Sequence, residues 1–403
     1  MAKTILNSRT PVLVAAIIIV VALILVSLFY INNMYEAKNN PSSEVPATDS
    51  TTSQPSSSPD TEPEKEDELK KMMGHMDIDE KLGQMIIGGY DNIQDIQPIL
   101  RENKLGGVIL FKKNIISVSQ TIKDTQALKE SNLQNKIPIF ISVDQEGGGV
   151  SRLPSEAGNF ESAMRIGNRN DSTYAFNSGV KLAKTIKKLG FNLDFAPVLD
   201  IFSNPKNTVI ADRAFGTSPD RVSKIGIQVL KGLRSENIIP TAKHFPGHGD
   251  TIMDSHVGLP VVNKSIAELK NLEFKPFIEA IKNDVDMMMI AHIKLSKVED
   301  LPSSLSSKVV TGILRKQLGF NGVIITDDIT MSAITQNYNI PDAAIKAVNA
   351  GCDIVLVAQG PQNPVLALNA LKSAYQKGQL TEQRIDESVY RILSLKKEYE
   401  LKD

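Results

Sequence analysis

The chain has little cysteine, little histidine and almost no net charge, and it has no tryptophan. With Cys352 as its only cysteine, an internal disulfide framework and a cysteine-rich zinc module are both excluded. The 45 Lys and Arg residues balance 46 Asp and Glu residues, so the basic excess of a nucleic-acid-binding protein is missing. The lack of tryptophan also disfavours a purely carbohydrate-binding module, which would use broad aromatic surfaces.

An uncharged, apolar segment at residues 11–31 follows Lys3 and Arg9. About 20 apolar residues span the roughly 30 Å core of a bilayer, and the basic residues before them predict a cytoplasmic N-terminus at residues 1–10. A cleaved secretory signal is the alternative, but its apolar region is usually shorter and ends at a small-residue site. We therefore predict a single-pass signal-anchor in the cell membrane with the rest of the chain outside the cytoplasm, and secretion after signal cleavage as the alternative.

Residues 32–67 are rich in serine, proline, threonine and acidic residues. A segment of this composition buries too little apolar surface to offset the entropy lost on ordering. We predict a disordered linker that tethers a folded body at residues 68–403 to the membrane.

The body alternates short apolar runs with helical segments. The predicted strands are Leu82–Gly88, Gly107–Phe111, Pro138–Asp144, Asn192–Asp200, Ile239–His244, Asp286–His292, Val323–Asp327 and Asp353–Val357, and the predicted helices include Thr173–Lys188, Pro219–Glu236, Ile266–Asn283 and Ile340–Asn349. Apolar strands separated by helices predict a parallel sheet covered on both faces. Eight such units predict an α/β fold with a single (β/α)8 barrel of the TIM type. A doubly wound open sheet is the alternative, although no G-x-G-x-x-G motif follows the first strand.

Polar residues stand at the carboxyl ends of five predicted strands: Asp144, Asp200, His244, His292 and Asp327. A barrel enzyme builds its active site at that face, from the ends of several strands. Aspartates at strand ends also cap the following helices, but capping does not account for the two histidines. We therefore expect these side chains to converge on one site.

Two features supply the chemistry of sugar transfer. Asp327 is a carboxylate fixed at a strand end, suited to nucleophilic attack on carbon. Asp254 precedes His256 in a D-x-H spacing, and a carboxylate beside an imidazole stabilises the imidazolium that a general acid requires. Arg152, Arg213 and Lys243 add donors for hydroxyl groups or anions. A nucleophile, a proton donor and polar clamps are what glycoside cleavage needs.

A metal site is not predicted. His244 and His248 have the i, i+4 spacing of zinc ligands on a helix, but Pro246 and Gly247 between them break any helix. His248 is instead expected to stabilise its loop.

Four stretches together resemble a known family: KHFPGHGDTIMDSH at 243–256, DQEGGGVSRL at 144–153, DRAFG at 212–216 and ITDDITM at 325–331. They resemble glycoside hydrolase family 3, and within it the bacterial β-N-acetylglucosaminidases that act on cell-wall fragments. The resemblance implies a (β/α)8 barrel over the whole body.

The resemblance also assigns roles to residues. It implies that Asp327 is the catalytic nucleophile and that His256, assisted by Asp254, is the acid/base. Five further residues match positions that hold the sugar in the non-reducing-end subsite: Asp144, Arg152, Arg213, Lys243 and His244. One departure is Gly149, because relatives usually have arginine there. Many relatives use a second domain at the active site, but the segment after the eighth strand suffices only for closing helices, so we expect the proton donor to come from the His256 loop.

The implied function is that of a retaining exo-β-N-acetylglucosaminidase that acts on peptidoglycan fragments as a monomer, without metal or organic cofactor. A β-glucosidase, a β-xylosidase and a β-N-acetylglucosaminide phosphorylase are alternatives within the family. A non-catalytic cell-wall binding protein is the alternative from another class, but such a protein needs neither the nucleophile nor the D-x-H pair.

Overall fold

The computed structural model describes residues 62–251 and 254–403. The predicted membrane segment at 11–31 and most of the predicted linker at 32–67 lie outside these residues. No helix within the described part of the chain is long and apolar enough to cross a membrane. Helix α1 occupies Glu62–Gly74, so the regular structure begins within the predicted linker rather than after it.

Eight parallel strands form a nearly closed barrel, and two short strands pair separately. The strands are β1 (Ile86–Gly89), β2 (Gly107–Leu110), β3 (Phe140–Val143), β4 (Leu193–Asp194), β5 (Ile239–Phe245), β6 (Val261–Val262), β7 (Met287–Ile290), β8 (Lys294–Leu295), β9 (Val323–Thr326) and β10 (Val355–Val357). Their order around the barrel is β10-β1-β2-β3-β4-β5-β7-β9, with β6 and β8 outside it. A parallel bridge between Ile325 and Ile354 brings β9 to the start of β10. This arrangement confirms the predicted α/β barrel.

Helices surround the strands. They are α2 (Ile78–Gln84), α3 (Ile93–Asn103), α4 (Val118–Asn132), α5 (Ala163–Arg169), α6 (Ser172–Lys188), α7 (Pro219–Ser235), α8 (Ile266–Asn271), α9 (Lys275–Lys282), α10 (Ser332–Thr335), α11 (Ile340–Ala350), α12 (Asn363–Gln376) and α13 (Glu382–Glu398), with a π-helix at Lys308–Gln317. In α7 the buried side chains Val222, Ile225, Val229 and Leu233 recur every three or four residues. One face of the helix is therefore apolar and packs on the barrel.

Two predicted elements change type or are divided in the structure. The predicted strand Leu82–Gly88 begins as helix, because Asp77 and Glu80 form a capping box that starts α2. The predicted helix Ile266–Asn283 is split into α8 and α9, with Pro276 in the first turn of the second. Proline has no N–H for a continuing helix, and it favours a helix start.

The predicted strand Asn192–Asp200 pairs in register only at Leu193 and Asp194. Pro197 has no N–H with which to extend the ladder, and a single bridge from Val198 to Lys243 follows. The segment still runs beside β5 as far as Asp200. That course places the Asp200 carboxylate at the end of the barrel where the candidate site lies.

Candidate active site

A cavity of about 160 Å³ lies at the carboxyl ends of the barrel strands. Seven of the eight residues predicted for the site line it: Asp144, Arg152, Arg213, Lys243, His244, His256 and Asp327. They come from the ends of β3, β5 and β9 and from the loops after β3, β4 and β5. The eighth, Asp254, is hydrogen-bonded to His256. The structure thus brings together residues that lie far apart in the sequence.

Two cations in the cavity are fixed by carboxylates. Lys243 Nζ donates to Asp144 Oδ1 at 2.6 Å and lies 2.7 Å from Glu146 Oε1. Arg213 forms a bidentate pair with Glu146, with Nε 2.7 Å from Oε2 and Nη2 2.8 Å from Oε1. Charge-assisted bidentate pairs of this kind fix position as well as supply energy. The side chains of Lys243 and Glu146 are only 3% and 4% exposed, so the network is formed before any ligand binds.

The network determines the charge of its members. Burial opposes ionisation of Glu146, but the positive charges of Lys243 and Arg213 outweigh it and lower the pKa of Glu146 far below its usual range. Burial likewise opposes the charge on Lys243, yet Asp144 and Glu146 raise the pKa of Lys243. Glu146, Lys243 and Arg213 are therefore held ionised near neutral pH by their neighbours.

Asp200 supports two histidines, His244 in β5 and His248 in the loop that follows. Its Oδ2 accepts a hydrogen bond from His244 Nδ1 at 2.7 Å, and its Oδ1 accepts one from the His248 amide at 2.6 Å. In this arrangement the Nδ1 proton of His244 is directed to Asp200. The other ring nitrogen, Nε2, lies 3.5 Å from Arg213 Nη2. Burial opposes ionisation of Asp200, but His244 and the His248 amide lower its pKa.

Asp327 directly follows β9, and its amide donates to the Ile290 carbonyl of β7 at 2.9 Å. Its Oδ1 accepts a hydrogen bond from the Asp328 amide at 2.8 Å. Burial opposes ionisation, but the electrostatic effect of His292 and His244 and the Asp328 amide lower the pKa of Asp327. A carboxylate that is ionised and accepts a backbone hydrogen bond, on a residue whose own amide is bonded to β7, has the state and the rigidity that a nucleophile needs.

His256 lies on the loop after β5 and is held by its neighbour. Asp254 Oδ1 accepts hydrogen bonds from His256 Nδ1 at 3.0 Å and from the His256 amide at 2.9 Å. The His256 side chain is 68% exposed and lines the cavity. Burial opposes ionisation of Asp254, but its hydrogen bonds from His256 lower the pKa of Asp254. The pair is a carboxylate-oriented imidazole in contact with both cavity and solvent.

Arg152 differs from the other two cations because no carboxylate in the described part of the chain forms an ion pair with it. Its guanidinium lies 5.8 Å from the centre of the Phe111 ring, and its amide donates to Gln145 Oε1 at 2.8 Å. The backbone is fixed while the charged group stays available. Arg152 can therefore bind a hydroxyl group or an anion of a ligand.

Three further polar residues, His292, His248 and Asp194, lie at or just after strand ends and are bonded within the protein. His292 is fully buried, with Nδ1 2.7 Å from Ser304 Oγ and Nε2 2.9 Å from the Asp328 carbonyl. His248 Nδ1 lies 2.9 Å from Thr251 Oγ1, in agreement with the predicted role in the loop. Asp194 Oδ1 accepts a hydrogen bond from the Gln145 amide at 2.9 Å. These contacts support the loops of the cavity from beneath.

Within residues 62–251 and 254–403, no group of three or more His, Cys, Asp or Glu side chains is arranged to hold a metal ion. The rings of His244 and His248 lie edge to face, with centroids 6.1 Å apart, and both side chains have other partners.

Glu146 has a larger role in the structure than the sequence assigned to it. It lies two residues after Asp144, and residues at that spacing in extended backbone lie on the same side. That spacing was a signal, but nothing in the sequence shows that Arg213, 67 residues further along the chain, reaches Glu146. Asp200 was expected among the converging strand-end residues, and it orients His244, which lines the cavity.

Gly149 is exposed, and its chain neighbours aside, no heavy atom of the described residues lies within 4 Å of the position that a β-carbon would take. A β-carbon at this position would therefore meet no steric obstacle among them. By contrast, a β-carbon at the neighbouring Gly148 would meet Ser162 at 2.5 Å.

The family model described as glycosyl hydrolase family 3 N terminal domain matches residues 77–395. The chain belongs to glycosyl hydrolase family 3. This confirms the resemblance predicted from the four motifs and assigns the chain to the glycoside hydrolases.

Curated family 3 relatives include a beta-hexosaminidase A from Pseudoalteromonas piscicida, which is 34% identical over 327 residues. That alignment covers 75% of this chain and 55% of the relative, so the chain spans little more than half of that protein. A beta-hexosaminidase from Hydrogenovibrio crunogenus is 35% identical over 278 residues, covering 66% of this chain and 76% of the relative.

Among solved structures, a family 3 beta-N-acetylglucosaminidase from Paenibacillus sp. str. FPU-7 is 37% identical, with a TM-score of 0.79 over 81% of this chain and 63% of that one. A family 3 member from Mycobacterium smegmatis is 28% identical, with a TM-score of 0.75 over 80% of this chain and 98% of that one.

Proposed function

We propose that the protein is a retaining exo-β-N-acetylglucosaminidase that removes terminal N-acetyl-β-D-glucosamine from peptidoglycan fragments. The observation that carries the proposal is that Asp327 and His256 line one cavity with Lys243, Arg213 and Arg152. The names of the relatives, beta-hexosaminidase and beta-N-acetylglucosaminidase, support the acetamido sugar. The substrate is a carbohydrate, and the reaction as proposed uses only side chains.

In the first displacement, an Asp327 carboxylate oxygen attacks the anomeric carbon and forms a glycosyl ester as the glycosidic C–O bond breaks. His256, as imidazolium, gives its proton to the leaving oxygen, and Asp254 stabilises the charged ring before transfer. The leaving sugar departs as an alcohol. The lowered pKa of Asp327 supports this step, since the nucleophile must be ionised.

In the second displacement, neutral His256 takes a proton from water as the water oxygen attacks the anomeric carbon. The ester bond to Asp327 breaks and the carboxylate is regenerated. Two inversions leave the β configuration unchanged. His256 ends as imidazolium, so both groups return to their starting states.

The buried network fixes the sugar during both steps. Lys243 and Arg213 are already paired with Asp144 and Glu146, so they offer their remaining N–H groups to hydroxyl or acetamido oxygens without reorganising. Asp144 accepts from sugar hydroxyls, and the His244 ring, oriented by Asp200, meets the same face. Arg152, which forms no ion pair with any residue that the structure describes, binds a further oxygen at the rim.

The proposed location is the outer face of the cell membrane, with residues 11–31 as the anchor. Peptidoglycan and its fragments would then lie within reach of the catalytic domain. In intact cells from which the wall has been removed, added protease should degrade the body. A body that stays protected in those cells and is degraded only after lysis would contradict this location.

The reaction is tested with the full-length chain and two aryl glycosides, the β-N-acetylglucosaminide and the β-glucoside. We expect turnover of the acetamido sugar, and NMR of the first product should show the β anomer. Asp327→Ala should abolish turnover, and His256→Ala should lower it by about 10²- to 10⁴-fold. An α anomer as first product would contradict the covalent route.

The alternatives give distinct outcomes in the same assay. A preference for the glucoside or a xyloside would keep the mechanism and change the substrate. Turnover that rises with added phosphate and yields sugar 1-phosphate would identify a phosphorylase. Binding of peptidoglycan without turnover of any substrate would identify a non-catalytic cell-wall protein.

A further inference from the structure

The loop that presents His256 is joined to the helix that follows the nucleophile. The Ala333 amide of α10 donates to the Ser255 carbonyl at 3.0 Å. Gln336 Nε2, at the end of the same helix, donates to the Val257 carbonyl at 2.7 Å. The residues immediately before and after His256 are thus both hydrogen-bonded to α10.

The two partners of these bonds differ in rigidity. Helix α10 lies a few residues after Asp327, and its Ala333 and Ile334 are fully buried in the core. His256 and Val257 are open to solvent, with the His256 side chain 68% and Val257 69% exposed, whereas Ser255 before them is buried. A segment with so few buried contacts depends on its hydrogen bonds for a defined position.

One of the two bonds comes from a side chain, and that side chain is exposed. We infer that Gln336 is a positioning residue for the acid/base: its bond to Val257 keeps His256 at the cavity that contains Asp327. The inference rests on the proposed function, in which His256 protonates the leaving oxygen. Gln336 does not contact the substrate in this role and acts through the loop.

A neutral hydrogen bond of this kind changes a local equilibrium by roughly two- to tenfold. Loss of the Gln336 bond should lower the fraction of molecules with His256 in place by that factor. The effect must depend on the leaving group, because an acidic phenol departs with little proton donation and a weakly acidic one does not. A purely structural defect would lower turnover of all substrates alike.

The test uses the full-length chain and compares wild type with Gln336→Ala and Gln336→Glu. The second variant keeps the size of the side chain but removes the N–H donor. The control is Asn337→Ala, which removes a neighbouring exposed amide that has no side-chain hydrogen bond among the described residues. The readout is kcat/KM, which reports the first displacement, for 2,4-dinitrophenyl and phenyl β-N-acetylglucosaminides, together with the thermal midpoint.

For both Gln336 variants we expect kcat/KM to fall about two- to tenfold with the phenyl glycoside and to stay within twofold with the dinitrophenyl glycoside. The thermal midpoints and the Asn337→Ala kinetics should match wild type. Equal losses with both glycosides, or no loss with either, would overturn the positioning role. If wild type itself hydrolyses neither glycoside, the proposed function fails, and that outcome is distinct from a failure confined to the Gln336 variants.

Discussion

Substitution of Glu146 by glutamine tests whether the buried network determines both stability and activity. Glu146 makes three charge-assisted contacts, two with Arg213 and one with Lys243, all between 2.7 and 2.8 Å. A glutamine keeps one acceptor oxygen and turns an NH2 group toward the cations. At least one contact is then replaced by a donor facing a donor, and of the described carboxylates Asp144 alone still forms an ion pair with Lys243.

Removing one partner of a buried ion pair typically costs about 3–5 kcal/mol, because the remaining charge is left uncompensated. For a folded body of this size the unfolding entropy is roughly 0.7 kcal/mol per degree, so the thermal midpoint should fall by roughly 4–7 °C. Lys243 and Arg213 also lose their fixed positions. A misplacement of about 1 Å can cost about 100-fold in rate, so kcat/KM should fall by that order.

The assay is thermal unfolding of the full-length variant together with kcat/KM on the aryl β-N-acetylglucosaminide. Glu161→Gln is a matched control, since Glu161 also pairs with an arginine, Arg169, at 3.0 Å but at the surface, where its side chain is 32% exposed. Exposed pairs contribute about 0–1 kcal/mol, so the control should unfold within about 2 °C of wild type. A Glu146→Gln protein that matches wild type in both measurements would refute the reasoning.

Three further substitutions are informative. Among the described residues, no cation is hydrogen-bonded to Asp194, and burial raises the pKa of Asp194 well above the usual range. Asp194→Asn should therefore keep activity within about twofold at pH 7, and a tenfold loss would show that the carboxylate is ionised. Asp254→Asn should lower kcat/KM for the phenyl glycoside about tenfold or more without changing the thermal midpoint, because the pair is exposed. Burial lowers the pKa of Lys396 to about 7. The unfolded chain keeps this proton up to about pH 10.5, whereas the folded chain releases it near pH 7. The free energy of unfolding should therefore rise with pH between these values, by up to about 1.4 kcal/mol per pH unit. Lys396→Met should abolish that rise in urea titrations at pH 7 and 9, and an unchanged slope would contradict it.

The barrel was predictable because its strands are short apolar runs with polar ends, and the helices between them have one apolar face. The predicted ends of helices and strands were wrong where a helix cap or a proline, rather than the hydrophobic pattern, sets the end of an element. The capping box at Asp77 and Glu80 extends helix into the apolar stretch before β1, and Pro276 divides one predicted helix into two. Both signals are present in the sequence, but the hydrophobic pattern alone does not show them.

The site was predictable as a set of residues but not as a set of contacts. Strand-end position and the family motifs selected side chains that do line one cavity. Which carboxylate pairs with which cation depends on distances across the barrel, and Glu146 pairs with Arg213 from a loop 67 residues away. The two bonds that tie the His256 loop to α10 also join segments distant in sequence.

These contacts divide the cavity into two parts with different physical properties. In the buried part, Lys243, Arg213 and Glu146 compensate one another and are fixed before substrate arrives, so they bind the sugar without the cost of reorganisation. In the exposed part, His256 is held by one carboxylate and two hydrogen bonds to its flanking carbonyls, so its position can respond to what binds. The proposed reaction requires both rigid binding of one sugar and adjustable protonation of the leaving group, and these are separate requirements. Substitutions in the buried part should therefore change activity on all substrates equally. Substitutions around His256 should change activity most on substrates whose leaving group departs poorly.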